Sequence, residues 1–598
     1  MQRSTALPIQ VSTSGFFPAP IRPLVQPLEP AMLKLFFPDT LLRSVHAIEP
    51  GADPSQFAGR LLEDLDIRYE LTDRDRERIP STGAALLVAN HPFGFLEGLI
   101  LLNLLEKIRP DYRIVANSVL ASVSPIRERL ILLNPFHRHP APEENGRGLR
   151  DCMRWLHENG MLAMFPAGEV AHLKWSEQAV VDPAWNTTAA RLARKMGCVV
   201  VPIYFEGANS IPFQLLGTLY PGLRTLSLPR ELVKKRRQTI RIRVGSPIPA
   251  TILKSYPADG EAATEYLRSR TFLLRSRSSS GELAAVSAVA IAPASSKQIL
   301  LDELAALPAD QIFASSQDFT VYCAKANQIP NILREIGRER ELTFRHVGEG
   351  TKNSVDLDAF DDYYHHLFLW SNRDQKIAGG YRIVATPDVL PALGVKGLYT
   401  NTLFHYERRF FEQIGPALEL GRSFICREYQ RHYAPLLLLW KGIATYVQRR
   451  PECAVLFGAV SISGDYQAVS RELIVNYLNL HVTGSMKSCI KPRRGFRPGT
   501  LVPKDVARLS RMLSSLDELS SSISDVEGDG KGVPVLIRHY LKLGGQILGF
   551  NVDPAFSNAL DALILVDLRV MTDVMLERCM GRAAAAEFRA YHSSASPP

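Results

Sequence analysis

The chain has 598 residues, 46% of them apolar and 22% charged, with a formal charge of +9 and seven cysteines. That length leaves room for roughly two to four domains with cores of their own. The modest positive excess, without aromatic and basic residues interleaved, argues against nucleic acid and for an anionic surface. The cysteines form no CxxC and no Cys/His cluster at zinc spacing, so neither a metal site nor a disulfide framework is expected, and the compartment is predicted to be reducing.

Met1 to Pro30 is rich in Pro, Ser and Thr and lacks the apolar core of a secretory signal. No stretch reaches the roughly 18 apolar residues of a membrane span, so a lipid substrate would be met from the side. Candidate contacts are Phe16-Phe17, Leu33 to Phe37, and Ile211-Pro212-Phe213 to Leu219, with core packing as the alternative for each.

Ala84 to Val88 reads as a short buried strand, and Asn90-His91-Pro92-Phe93-Gly94 as a sharp turn leading into a buried helix over Leu99 to Leu105. His91 and Glu97 are six positions apart. On one helix they would point about 240° apart, so they can meet only if His91 lies in the turn and Glu97 near the helix start. Met, they make a general base with its orienting acid; apart, a turn histidine and a glutamate answering the helix dipole. Met161 to Phe165 is a second strand, ending in Pro166-Ala167-Gly168-Glu169. A helix follows around Ala189 to Met196, then the strand Cys198 to Phe205 with Glu206-Gly207. Strands that end in turns before helices predict an α/β sheet with functional turns at the strand ends.

In order, NHPFG, FPAGE and VPIYFEG resemble the blocks of glycerolipid acyltransferases of the 1-acylglycerol-3-phosphate type, over roughly residues 60–250. The resemblance implies His91 as catalytic base with Glu97 beside it, although the family's acid falls one residue earlier, where Leu96 stands. In the family's third block a basic residue is thought to hold the acceptor's phosphate. Here Gly168 is followed by Glu169, and no basic residue occurs before Lys174. A carboxylate repels phosphate and attracts ammonium, so Gly168 and Glu169 are expected to meet a zwitterionic or cationic lipid, unless Glu169 caps the next helix.

Basic residues cluster at Lys234-Lys235-Arg236-Arg237 with Arg241 and Arg243, and at Lys491, Arg493, Arg494 and Arg497. These are solvated faces, or they answer an anionic bilayer or an acidic acyl carrier protein. Arg275 to Gly281 and Ala284 to Ser296 read as a small-residue linker, and Ala583 onward as a frayed tail.

Beyond the linker, Ile332 to Arg340 is amphipathic and leads through Arg345 to Gly348-Glu349-Gly350-Thr351. Asp356, Asp358, Asp361 and Asp362 form an acidic group, able to hold a dibasic amino acid or merely solvated. Strands are expected over Ile377 to Val384, Leu418 to Ile425, Val455 to Ser461 and Ala562 to Leu568, with a helix from Pro435. His365-His366 lack metal spacing. Glu419 and Arg422 share one strand, as a base or acceptor-orienting group with its partner, or as a structural pair.

GEGT with Asp356 and Asp358, ELGRS at 419–423, Leu437 to Gly442 and Pro534 to Gly544 resemble the ornithine N-acyltransferases of ornithine-lipid synthesis, a branch of the GCN5-related fold. Autoinducer synthases are more distant relatives. Glu419 is the candidate catalytic base, because an amine acceptor must lose a proton before it attacks, and Arg345, Glu349, Asp356, Asp358 and Arg422 are the candidate substrate-binding residues. Arg427 to Ala434, where that fold usually cradles a coenzyme A diphosphate, has no glycine. A tight nest is not predicted, and acyl carrier protein fits better as donor, with no other cofactor.

The expected architecture is two separate acyltransferase domains: a glycerolipid-acyltransferase-like α/β domain followed by a GCN5-related acyltransferase-like α+β domain. The expected map is a Pro-rich, membrane-proximal segment over 1–45, an O-acyltransferase domain over 46–275, a linker over 276–299, an N-acyltransferase-like domain over 300–582, and a disordered tail. The whole resembles bifunctional ornithine-lipid synthases, which implies a bacterial cytoplasmic enzyme peripheral on the inner face of the cell membrane. An ordinary lysophospholipid O-acyltransferase with an accessory second domain is the alternative.

Overall fold

In the computed structural model the described residues are 26–48, 53–117, 124–133, 142–174, 179–219, 221–277, 289–432, 434–499 and 505–594. Phe16-Phe17 and residues 278–288 of the expected linker lie outside them. The chain divides into two compact units, 1–279 with 524–530, and 280–523 with 531–598.

The first unit is built on a seven-stranded sheet ordered β1-β9-β8-β2-β5-β3-β4. Its strands are β1 (Arg68–Glu70), β2 (Ala85–Ala89), β3 (Tyr112–Ala116), β4 (Leu130–Leu132), β5 (Met161–Met164), β8 (Val199–Phe205) and β9 (Thr239–Val244); β6 (His172–Lys174) and β7 (Ala179–Val181) form a separate hairpin. All neighbours are parallel except β8 and β9. Every residue of β2 and β5 is buried, because helices cover both faces of a parallel sheet and a continuous apolar run is then required. The helix Phe95–Glu106 follows β2, and Leu96, Leu99 to Leu102, Leu104 and Leu105 are buried on it. β2 lies between β5 and β8, so the turns leaving all three strands meet at the middle of one sheet edge, where such folds place ligands.

The second unit carries an eight-stranded, mostly antiparallel sheet ordered β10-β11-β12-β13-β15-β16-β19-β18. These strands are β10 (Ile312–Ser315), β11 (Phe319–Lys325), β12 (His365–Ser371), β13 (Lys376–Ala385), β15 (Ala417–Ile425), β16 (Val455–Ile462), β18 (Gln546–Asp553) and β19 (Ala559–Asp567); β14 (Phe404–Tyr406) pairs with β17 (Ile490–Pro492). β15 and β16 are the sheet's one parallel pair, linked by the helix Ala434–Arg449. They pair only over Ala417 to Glu419 and Val455 to Phe457. Beyond that β15 follows β13 and β16 follows β19, and a cleft opens between them.

The stretch from Ala583, expected as a frayed tail, is helix over Arg582–Ser594. Its alanines favour helix, Phe588 is buried, and Arg589 reaches Asp573 at 3.0 Å and the Arg569 carbonyl at 2.6 Å. No helix among the described residues is long and apolar enough to cross a membrane.

Candidate active sites

His91 lies in the turn after β2 and Glu97 in the first turn of the following helix, so the two side chains meet, with Nδ1 3.5 Å from Oε1. Gly94 makes this possible. Its φ is +98°, and a Cβ there would come within 2.7 Å of Leu228. The Phe93 N–H donates to Glu97 Oε1 at 2.6 Å, which anchors the fully buried carboxylate under the turn. Asp182 accepts the His91 N–H at 3.2 Å and the Trp185 indole N–H at 3.1 Å, while Ala171 donates to the His91 carbonyl at 2.8 Å. Phe165, ending the β5 run, stacks on the imidazole at 4.4 Å. The ring is thus flanked by the Glu97 carboxylate on its Nδ1 side and by the Phe165 ring on one face.

Gly168 (φ +69°) closes the turn after β5, donating to the Phe165 carbonyl at 2.9 Å, and so sets Glu169 two residues before Ala171. Glu169 does not stand alone. Arg224, from the helix Pro221–Lys234, donates to its Oε2 at 2.8 Å, and Leu228 of the same helix packs over Gly94. A cation therefore does reach the FPAGE turn, from 55 residues away in sequence. The segment between Gly168 and Lys174 carries no lysine or arginine, and the cation comes instead from a distant helix. Arg224 is largely buried, and burial holds its pKa below the usual guanidinium value.

In the second unit Glu419 is 1% exposed. It accepts the N–H groups of Thr400 (2.6 Å) and Tyr399 (3.1 Å) and the Tyr364 hydroxyl. Burial raises its pKa while these donors oppose the shift. Its carboxylate fastens the Tyr399–Thr402 turn to β15, and that positioning duty takes up three of its roughly four lone-pair sites. The acidic group is likewise engaged from within. Asp356 and Asp358 lie 3.0 and 3.3 Å from Arg422, Asp358 is also 2.5 Å from Arg382, and Asp361 is 2.8 Å from Arg340 and 3.1 Å from Arg382. Such buried arginines need carboxylates, so Asp356, Asp358 and Asp361 form an ion-pair network, while the fourth acid of the group, Asp362, is exposed. Arg345 pairs with Glu341 at 2.6 Å and donates to the Val289 carbonyl, and Glu341 in turn accepts from Thr351 and Lys352. That pair shapes the GEGT loop.

Arg422 does reach the cleft between β15 and β16, its guanidinium lying between the Tyr399 and Phe556 rings and donating to the Tyr399 hydroxyl at 2.8 Å. Ser461 of β16 lines the cleft and donates to Glu349 Oε2 at 2.7 Å. Burial pushes the Glu349 carboxyl up to about 7. Asp553 and Asp561 line the same cleft. Asp561 is 7% exposed, its Oδ2 has no hydrogen-bond partner among the described residues, and burial with Asp553 and Glu349 nearby drives its pKa well above the carboxylate range. Ser461, Asp553 and Asp561 escaped the sequence reading. The one available signal was a single acid, Asp561, inside the apolar run Leu560 to Val566. No group of His, Cys, Asp and Glu among the described residues has metal-binding geometry.

The Acyltransferase family model matches residues 54–281, and the Acetyltransferase (GNAT) domain model matches residues 340–441. A glycine N(alpha)-acyltransferase from Bacteroides thetaiotaomicron is 34% identical over 265 residues, covering 41% of this chain and 76% of that protein. A lyso-glycine lipid O-acyltransferase from Phocaeicola vulgatus is 27% identical over 204 residues, 32% of this chain and 68% of that protein. An L-ornithine N(alpha)-acyltransferase from Rhodobacter capsulatus is 26% identical over 230 residues, 37% of this chain and 78% of that protein.

Proposed function

The chain belongs to the acyltransferase family of its glycine N(alpha)-acyltransferase relative, and from that premise we propose that it makes a phosphorus-free amino-acid lipid by two successive acyl transfers. The second unit joins a 3-hydroxyacyl group, delivered as a thioester by acyl carrier protein, to the α-amine of ornithine. The first unit then acylates the freed 3-hydroxyl of that lyso-lipid. The observation that carries this reading is one chain holding two acyl-transfer units, a histidine–carboxylate pair suited to an alcohol in one and a carboxylate-lined cleft suited to an amine in the other.

His91 takes the hydroxyl proton as the oxygen attacks the thioester carbonyl, and returns it to the leaving thiolate. Glu97 holds the ring and stabilises the imidazolium formed between those events. Arg224 beside Glu169 suits the carboxylate of the intermediate, and Glu169 its ammonium. Carriage of both steps on one chain raises the intermediate's effective concentration at the second site.

An acidic carrier protein is favoured as donor by the glycine-free approach to the helix Ala434–Arg449, where Arg427 and Arg431 are exposed. Peripheral contact with the inner face of a bacterial membrane is supported by exposed Leu35, Leu215 and Ile211, the last 75% exposed. Glycine is the second reading for the amino acid, because the relative named for glycine is 34% identical and the one named for ornithine 26%. Cells expressing the chain, fed labelled ornithine or glycine, should yield a phosphorus-free lipid carrying one label, seen by mass spectrometry. Label in neither, with acylation of added lysophosphatidate, would establish the glycerolipid alternative instead.

A further inference from the structure

We propose that the acceptor amine of the second unit enters the cleft between β15 and β16, where Asp561 binds its ammonium and Ser461 takes its proton while passing its own to Glu349. The inference rests on the N-acylation proposed above and places that reaction's base away from Glu419.

The geometry is specific. Ser461 and Asp561 are cross-strand partners on β16 and β19, and both line the cleft. The Ser461 hydroxyl is oriented, since it donates to Glu349 Oε2 at 2.7 Å and has its lone pairs free to accept from a substrate N–H. Asp561 lines the cleft, and its buried Oδ2 lacks a donor among the described residues; an arriving ammonium supplies that donor and, as a cation, favours the ionised carboxyl over the neutral form that burial imposes without it. Asn551 beside it serves as a donor to the carboxyl. Glu419, by contrast, spends its oxygens on three donors of its own unit.

The step balances without a further reactant. The ammonium loses one proton to Ser461 Oγ, whose hydroxyl proton moves to Glu349. The free amine attacks the thioester carbonyl, the C–N bond forms and the C–S bond breaks. The leaving thiolate takes a second proton from nitrogen as the amide is completed. Glu349 suits this duty because burial, with Asp465 adding to the effect, raises its pKa to about 7, against the opposing pull of Arg422 and Ser461. Asp561 and Asp553, acids on β19 and β18, face the same region.

The test uses the full chain with 3-hydroxyacyl-acyl carrier protein and either ornithine or glycine, across about pH 5.5 to 9. Wild type should show an acid limb in kcat/KM near pH 7. E349Q and S461A should each lower kcat about 10²-fold or more at nearly unchanged amino-acid KM, and E349Q should abolish the limb. D561N should raise the amino-acid KM about ten-fold or more. S461A removes one oxygen and with it the donor to Glu349, so thermal unfolding is followed beside the kinetics and rates are compared well below the variant's midpoint, where they report on the relay. An active wild type whose rate and acid limb survive in both E349Q and S461A overturns the relay. A wild type that acylates neither amino acid overturns the function on which it rests.

Discussion

Arg224 lies 2.8 Å from Glu169 Oε2, so the carboxylate of the FPAGE turn is itself held by a cation. The pair carries both signs of charge and a net charge of neither, and in the proposed function it is what the acceptor lipid meets. Glu169→Gln would leave Arg224 with its fork of donors unopposed. The ratio of kcat/KM for lysophosphatidate over singly acylated amino lipid should then rise about ten-fold. Steady-state kinetics on both acceptors measures it, and an unchanged ratio would confine the pair to a structural role.

His91→Ala should stop the second acylation while sparing the first, because the imidazole lies in the first unit and the amine chemistry is assigned to the second. O-acylation should fall about 10²- to 10⁴-fold, the usual range for a general base. Lipid extracts should accumulate the singly acylated species. Loss of both species together would remove the division of labour.

Glu419→Gln tests structure before chemistry. One carboxylate oxygen becomes an NH2 group facing the donors of Tyr399, Thr400 or Tyr364. A buried donor set against donors costs about 1–3 kcal/mol, so the second unit should unfold at lower denaturant concentration. An unaltered midpoint would contradict the anchoring role and restore Glu419 as a candidate base.

His366 supplies a pH dependence. Burial and the neighbouring Arg340 lower its pKa to about 4, against an ordinary 6.5. Between those values the unfolded chain binds a proton that the folded chain refuses, so its contribution is full above pH 6.5 and is lost as pH falls toward 4. The integral is about 3 kcal/mol. Glu349, raised to about 7, has the opposite slope over much of this window. The informative quantity is therefore the difference between wild type and His366→Gln, which should narrow by roughly that amount on acidification, followed by denaturant unfolding. Parallel curves would contradict it.

The sequence disclosed what is local. The strands at 85–89, 161–164, 199–205, 417–425 and 455–462 were legible as apolar runs, and the His91–Glu97 meeting was one of two outcomes that the turn with Gly94 in it left open. The ion pairs were not. Arg224 reaches Glu169 across 55 residues, and Asp358 finds Arg382 and Arg422 on two other strands, so acids that looked available as a cluster are neutralised by partners that no spacing rule connects. The cleft carboxylates were hidden for the same reason, since Ser461 and Asp561 become neighbours only through β16–β19 register.

The first unit is assembled from two stretches of chain, because residues 524–530 belong to it. Asp525 is fully buried there, 2.8 Å from Arg270 and 3.1 Å from Arg78, and it accepts the Ser246 N–H at 2.8 Å. A gene cut at the linker would deliver a first half without that carboxylate, with Arg270 and Arg78 deprived of their counter-ion in a low-dielectric interior. Splitting this enzyme into two freestanding proteins would thus require more than a new stop codon: the severed half would need its own acid at the Asp525 position, or the borrowed heptad spliced back in.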